Sequence, residues 1–184
     1  MAKLVLAMFI SVDGYIEGPN GQFVPPAWSN DFERHWPGYA LANAGHLVYG
    51  RTNFLFNRDF WSAAETDPDS PAAAISHAPA MNRLPKTVIS RTLSGNPGWN
   101  ATLVKEDLAG AIGRLKLEGG KDVYAFGGAG LANSLIRLDQ DLVQKKSDVR
   151  NVNTASGPDL GASAGFQKTC TSGVSCMPLK IVAL

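Results

Sequence analysis

The chain has little of what builds metal centres and disulfide frameworks. Its 184 residues include 2 cysteines and 3 histidines, and neither Cys170 and Cys176 nor His35, His46 and His77 stand at ligand spacing. No metal is expected, and so sparse a cysteine content suits a reduced, cytoplasmic chain. An excess of one charge is lacking too: 17 basic against 16 acidic residues leave a formal net charge of +1, without the basic run that nucleic acid demands. The apolar run over residues 4–10 is far too short to span a bilayer and has no cleavage site behind it. Neither nucleic acid nor a membrane is an expected partner, which leaves a small-molecule ligand. The dinucleotide fingerprint is also incomplete, because Gly128-Ala129-Gly130 is followed by Leu131, Ala132 and Asn133 where a third glycine belongs.

What is present fits one ordinary soluble domain over residues 1–184, with 45% hydrophobic and 18% charged residues. Lys3 to Val12 is a nearly unbroken apolar segment stopped by Asp13-Gly14, which reads as a central strand buried on both faces. Residues 17–29 carry Gly18-Pro19-Asn20-Gly21 and Pro25-Pro26 and read as loop. Asn30 is the expected N-cap of a first helix, with Asp31 and Glu33 in its first turn and Pro37-Gly38 interrupting it. His46 to Tyr49, Lys86 to Ser90, Ala101 to Val104 and Asp122 to Phe126 read as further strands. Residues 57–80 give weak periodicity and read as loop with some helix. Asp107 should cap a helix with Leu108, Ile112 and Leu115 inward, and a last helix should run from Gly130 to about Leu138. Alternating strands and helices of this kind imply an α/β fold with a mainly parallel sheet.

Three of these strands end in chemistry that suits phosphate. Gly50-Arg51-Thr52 combines a residue permitting close approach, a guanidinium that forks onto phosphate oxygens and a hydroxyl. Ser90-Arg91-Thr92 repeats the arginine beside hydroxyls. Gly127-Gly128-Ala129-Gly130, running on to Leu131, places small residues where a helix begins, so that its N–H groups and dipole can meet an anion. Each serves equally as a turn or a surface patch when taken alone; the conjunction points to a phosphate-bearing cofactor. Ser11, Asp13 and Gly14 lie at the carboxyl end of the first strand, where open α/β sheets place their ligand crevice. Asp31 and Glu33 serve either as helix-start acids or as a proton source, and Trp28 and Phe32 either as an aromatic wall for a flat ring or as core.

The blocks VLAMFISVDGYIEG (Val5 to Gly18), YGRT (Tyr49 to Thr52), MNRLPKTVISRTL (Met81 to Leu93) and VYAFGGAGLANSLI (Val123 to Ile136), in this order, resemble the dihydrofolate-reductase-like family. Within it they look most like the reductase branch of riboflavin biosynthesis and its small stand-alone members. The resemblance spans residues 3–138. It implies a three-layer α/β/α fold around a mostly parallel sheet with an antiparallel C-terminal edge, and an NADPH-dependent oxidoreductase passing hydride to a small heterocyclic (pterin- or pyrimidine-like) or carbonyl substrate.

By that resemblance Gly50, Arg51, Thr52, Ser90, Arg91, Thr92, Gly127, Gly128, Ala129, Gly130 and Leu131 bind the cofactor. Arg91 would then favour NADPH over NADH. Ser11, Gly14, Trp28 and Phe32 face the substrate, with Asp13 as first candidate proton donor and Asp31 and Glu33 behind it. A nucleotide-binding or sensory module without catalysis is the alternative. Residues 139–165 depart from the family pattern, being polar and poor in strand-forming runs. The sheet edge and any homodimer built on it therefore fall outside the resemblance.

Overall fold

A computed structural model describes residues 2–11, 15–16, 18, 23, 29–118, 120–148 and 179–183; of Asp31, His35, 139–148 and 179–183 it describes the backbone alone. Six strands form one sheet: β1 (Leu4–Met8), β2 (Ala44–Gly50), β3 (Lys86–Ile89), β4 (Ala101–Val104), β5 (Asp122–Phe126) and β6 (Leu179–Ala183). Their order is β4-β3-β2-β5-β1-β6. Each pair is parallel, including β6 on β1 with Leu4 opposite Leu179 and Met8 opposite Ala183. The α/β architecture is as expected, but the antiparallel edge is not among the described residues. The last strand that reaches the sheet lies beside β1 in the same direction.

Period-two alternation sorts the strand side chains between two apolar layers. Val5, Ala7, Leu47, Tyr49, Tyr124 and Phe126 face one side and pack with Phe54 and Trp61 of α2 (Arg51–Thr66) and Met81 of α3 (Ala78–Arg83). Leu4, Leu6, Val48, Val123 and Ala125 face the other and meet Ile112 of α4 (Leu108–Glu118) and Leu131 and Leu135 of α5 (Ala129–Asp148). Helices thus cover both faces, the condition under which parallel strands read as continuous apolar runs.

The helix starts depart from expectation by small, explicable amounts. Ser29, not Asn30, caps α1 (Asn30–His35): its hydroxyl accepts from the Phe32 N–H at 3.1 Å. Pro37 and Gly38 do not stop the chain but widen it into a π-helical turn over Trp36–Leu41, consistent with a proline that cannot donate to the preceding turn. Asp107 caps α4 as expected, its carboxylate accepting from the Gly110 N–H at 2.9 Å. Two helices outrun their sequence signal, α2 to Thr66 and α5 to Asp148.

Candidate active site

Strand register levels the carboxyl ends. Ala7 stands opposite Phe126, Phe126 opposite Tyr49 and Tyr49 opposite Val88. Beyond that line come Gly50 on β2, Ser90 after β3 and Gly127 after β5, with β2 in the middle and strands spaced about 5 Å apart. From β2 the chain moves outward to β3, whereas from β5 it moves the other way to β6. The gap between β2 and β5 is therefore a topological switch point, the place where open α/β sheets bind ligands.

Two helices begin at this gap. α2 starts at Arg51 directly after Gly50, whose backbone is extended and whose position supplies no side-chain cap. α5 starts at Ala129 directly after Gly127-Gly128. Neither has an acidic residue in its first turn, so the positive ends of both dipoles are left for a ligand. They lie close: a Cβ on Gly50 would stand 3.5 Å from the Leu131 Cβ, and the Asn53 amide donates to the Phe126 carbonyl at 2.8 Å.

The glycines of the second turn divide by cause. A Cβ on Gly127 would come within 3.3 Å of Leu6 Cδ1, a packing reason for glycine. Gly128 and Gly130 are exposed with a backbone outside the left-handed region, and a Cβ on either would meet nothing within 4 Å. Neither the protein's packing nor its backbone requires glycine there, so both positions leave the backbone bare. Ala129 is exposed between them. Together with two open helix starts, this cradle can accept an anionic group.

Arg51, Thr52, Arg91 and Thr92 are exposed at the same rim, and neither arginine has an ion-pair partner among the described residues. Ser90 is different. Its hydroxyl accepts from the N–H groups of Thr92 and Leu93 at 3.2 and 3.0 Å, so it shapes the turn that presents Arg91. Leu131 is buried and anchors α5 to the sheet.

Past the carboxyl end of β1, Ser11 is bonded to Tyr15. Its N–H donates to the Tyr15 carbonyl at 2.8 Å and its hydroxyl accepts from the Tyr15 N–H at 2.9 Å. Asp13, Gly14 and Trp28 lie outside the described residues, as does the side chain of Asp31. Glu33 is turned to the segment before α3, accepting from the Ser76 hydroxyl at 2.6 Å and lying 3.4 Å from His77 Nδ1. Burial holds the His77 imidazole below its usual pKa while Glu33 pulls it back up.

Phe32 packs on Phe9 with ring centroids 5.6 Å apart, and Phe9 also meets Phe23 at 5.9 Å and Trp36 at 5.5 Å. Phe23 continues to Phe56 on the first turns of α2. Phe32 is thus part of an aromatic row beside the carboxyl ends of β1 and β5. Phe9, Phe23 and Phe56 were not foreseen, because an aromatic in an apolar run carries no local sign of which neighbour it will meet. Asn53 was missed for the same reason, its partner lying far along the chain.

A shallow, open concavity of about 310 Å³ lies elsewhere, at the amino ends of β2, β3 and β4 beside His46, Lys86, Trp99 and Asn100. The Lys86 ammonium is already held by the Asn82 and Leu84 carbonyls at 3.1 and 2.6 Å, and ligands of such sheets bind at the other end.

An α/β sheet whose switch point gathers two helix starts and bare glycines, with exposed arginines along the same rim, suits an anionic ligand. The comparisons narrow it: residues 2–146 match the model of the RibD C-terminal domain, and the chain belongs to that family, the reductase-like domain of riboflavin biosynthesis. The match runs past Leu138 to residue 146, near the end of α5. The chain is 26% identical over 141 residues to the uncharacterized protein YyaP of Bacillus subtilis (strain 168), covering 74% of this chain and 68% of that protein. It is also similar to the crystal structure of a candidate riboflavin biosynthesis protein from Shewanella sp. PV-4. That likeness has 24% identity and a TM-score of 0.47, covering 73% of this chain and 70% of that one. Among the described residues no helix is long and apolar enough to cross a membrane.

Proposed function

We propose that this protein is an NADPH-dependent reductase that passes a hydride to a small heterocyclic, pterin- or pyrimidine-like, or carbonyl substrate. The observation that carries the reading is the meeting of Gly50-Arg51-Thr52 and Gly127-Gly128-Ala129-Gly130 at one switch point, where Gly128 and Gly130 leave the backbone bare. The cofactor supplies the hydride; the chain binds, orients and excludes water. Helix starts α2 and α5 hold the pyrophosphate, Arg91 takes the phosphate that distinguishes NADPH from NADH, and the row Phe9, Phe23, Phe32 and Phe56 forms an apolar wall for a flat ring. A proton must also arrive, from Asp13, Asp31 or water. Glu33 is the weakest donor, since Ser76 and His77 already engage it.

That engagement favours one other reading, a nucleotide-binding module without catalysis. Titrating the protein with NADPH and NADH while following nicotinamide fluorescence tests both readings, and no binding of either cofactor would sink both. Binding accompanied by NADPH oxidation in the presence of a pterin, pyrimidine or quinone-like compound selects the reductase; binding without it selects the module.

A further inference from the structure

A polar stripe runs along α2 where an apolar one would be ordinary. Asn53, Asn57 and Trp61 recur at every fourth residue and share one face. The Asn53 Nδ2 donates to the Phe126 carbonyl at 2.8 Å. The Asn57 Nδ2 donates to both the carbonyl and the Oδ1 of Asn53, each at 2.8 Å, and the Trp61 Nε1 donates to the Asn57 Oδ1 at 3.0 Å. The stripe continues into α3 and beyond: Asn82 Nδ2 donates to the Trp61 carbonyl at 3.0 Å, and Trp99 Nε1 donates to the Asn82 Oδ1 at 2.7 Å.

The two ends of this ladder fix its polarity. An indole N–H can only donate and a backbone carbonyl can only accept. Trp61 therefore holds the oxygen of Asn57, which turns the Asn57 amino group to the oxygen of Asn53, which leaves the Asn53 amino group facing Phe126. Neither amide can flip without breaking two bonds. Phe126 is the last residue of β5, immediately before the glycine turn.

We propose that Asn53 is a positioning residue: it clamps the end of β5 to the first turn of α2 and so sets the separation of the two helix starts that share one pyrophosphate. The clamp rests on the NADPH reading for its purpose, and Asn57 and Trp61 act only through the orientation of Asn53. Asn53→Leu keeps the branched outline and loses the donor. Asn57→Asp keeps the acceptor for Trp61 but turns a carboxylate oxygen on the Asn53 Oδ1, which drives the Asn53 amide away from Phe126.

The test measures dissociation constants of NADPH, NADH and adenosine 2′-monophosphate for the full chain and both variants. The adenosine compound has the 2′-phosphate assigned to Arg91 and neither phosphate of the pyrophosphate. Both variants should weaken NADPH and NADH by the same factor, about tenfold for one lost hydrogen bond, and leave the adenosine compound unchanged. Unchanged NADPH binding, or an equal loss for the adenosine compound, overturns the clamp. Amide exchange without ligand is the second measurement. The Ala132 N–H, which donates to the Gly128 carbonyl at 3.2 Å, should exchange about tenfold faster in Asn53→Leu while β3 and β4 keep their protection. If the unaltered protein binds no dinucleotide, the cofactor reading fails, and Ala132 exchange then decides the clamp alone: no acceleration overturns it.

Discussion

The two ends of the sheet treat polar groups in opposite ways. At the amino end of β3 nearly every buried polar atom is consumed within the protein. Lys86 donates to two carbonyls and lies 4.2 Å from the centre of the Trp99 ring, Trp99 donates to Asn82, and Asn82 donates to Trp61. At the carboxyl end the polar groups face outward: two helix starts without acids, two arginines without ion-pair partners among the described residues, and glycines beside empty space. Saturation marks a scaffold, because an unmet buried group is costly. Openness at the end where such sheets bind marks a place left for something else.

Lys86 gives the largest expected effect. Its removal by Lys86→Met leaves the Asn82 and Leu84 carbonyls without their donor and ends the contact with Trp99, at a cost of about 2–4 kcal/mol. Urea unfolding measures it, and a loss below about 0.5 kcal/mol would show that saturation at this end is not stabilising. The pH dependence has a definite sign. Burial lowers the Lys86 ammonium to about 8 from 10.5, so between those values the unfolded chain binds more protons than the folded one. Stability contributed by this group therefore rises from pH 8 toward 10.5, and Lys86→Met should remove that rise.

A pair of glycines sharpens the contrast. A Cβ on Gly45, at the amino end, would meet the Lys121 Cβ at 3.0 Å, whereas one on Gly128 would meet nothing. Gly45→Ala should cost about 1 kcal/mol of stability and leave cofactor affinity alone. Gly128→Ala should leave stability unchanged or slightly higher, yet weaken NADPH about tenfold or more, because a methyl group would occupy the pyrophosphate's approach. Parallel denaturation and fluorescence titrations decide it. If Gly128→Ala binds NADPH normally, the open end has lost its explanation.

Arg91 tests the same rim with a difference between ligands. Arg91→Ala should weaken NADPH about tenfold, the worth of a charge-assisted bond to phosphate, and NADH far less, with the NADPH loss shrinking as salt is raised. Equal losses for the two cofactors would move Arg91 away from the distinguishing phosphate.

Much of this arrangement was legible in the sequence, for a physical reason. Buried parallel strands must be apolar along their length, so β1, β3 and β5 announced themselves, and the residues just past them had to be turn formers or helix starts. The rim motifs were readable by type. Their meeting was not, since it depends on β5 being inserted between β2 and β1. Residues 57–66 of α2 resisted because Asn53, Asn57 and Trp61 put a hydrogen-bonded stripe on a half-buried face and erase the apolar period. The direction of β6 was equally hidden, because a short apolar strand pairs either way until its neighbour is known.

One buried group near the carboxyl end of β2 is neither met within the protein nor turned outward, and it supplies the smallest effect. The Tyr49 hydroxyl is fully buried between Phe54, Trp99 and Phe126 and has no hydrogen-bond partner among the described residues. Removing an unmet buried hydroxyl from a ring that keeps its packing should help, so Tyr49→Phe is expected to raise stability by about 1 kcal/mol. Burial also pushes the phenol well above its usual 10. Above pH 10 the unfolded chain therefore loses this proton while the folded chain keeps it, and stability falls with rising pH. That slope is opposite in sign to the one from Lys86, and Tyr49→Phe should abolish it without touching the rise that begins near pH 8. Urea midpoints for the two proteins across that range separate the contributions. If Tyr49→Phe is less stable at neutral pH, the hydroxyl is bonded after all and the buried core holds no unmet group at this position.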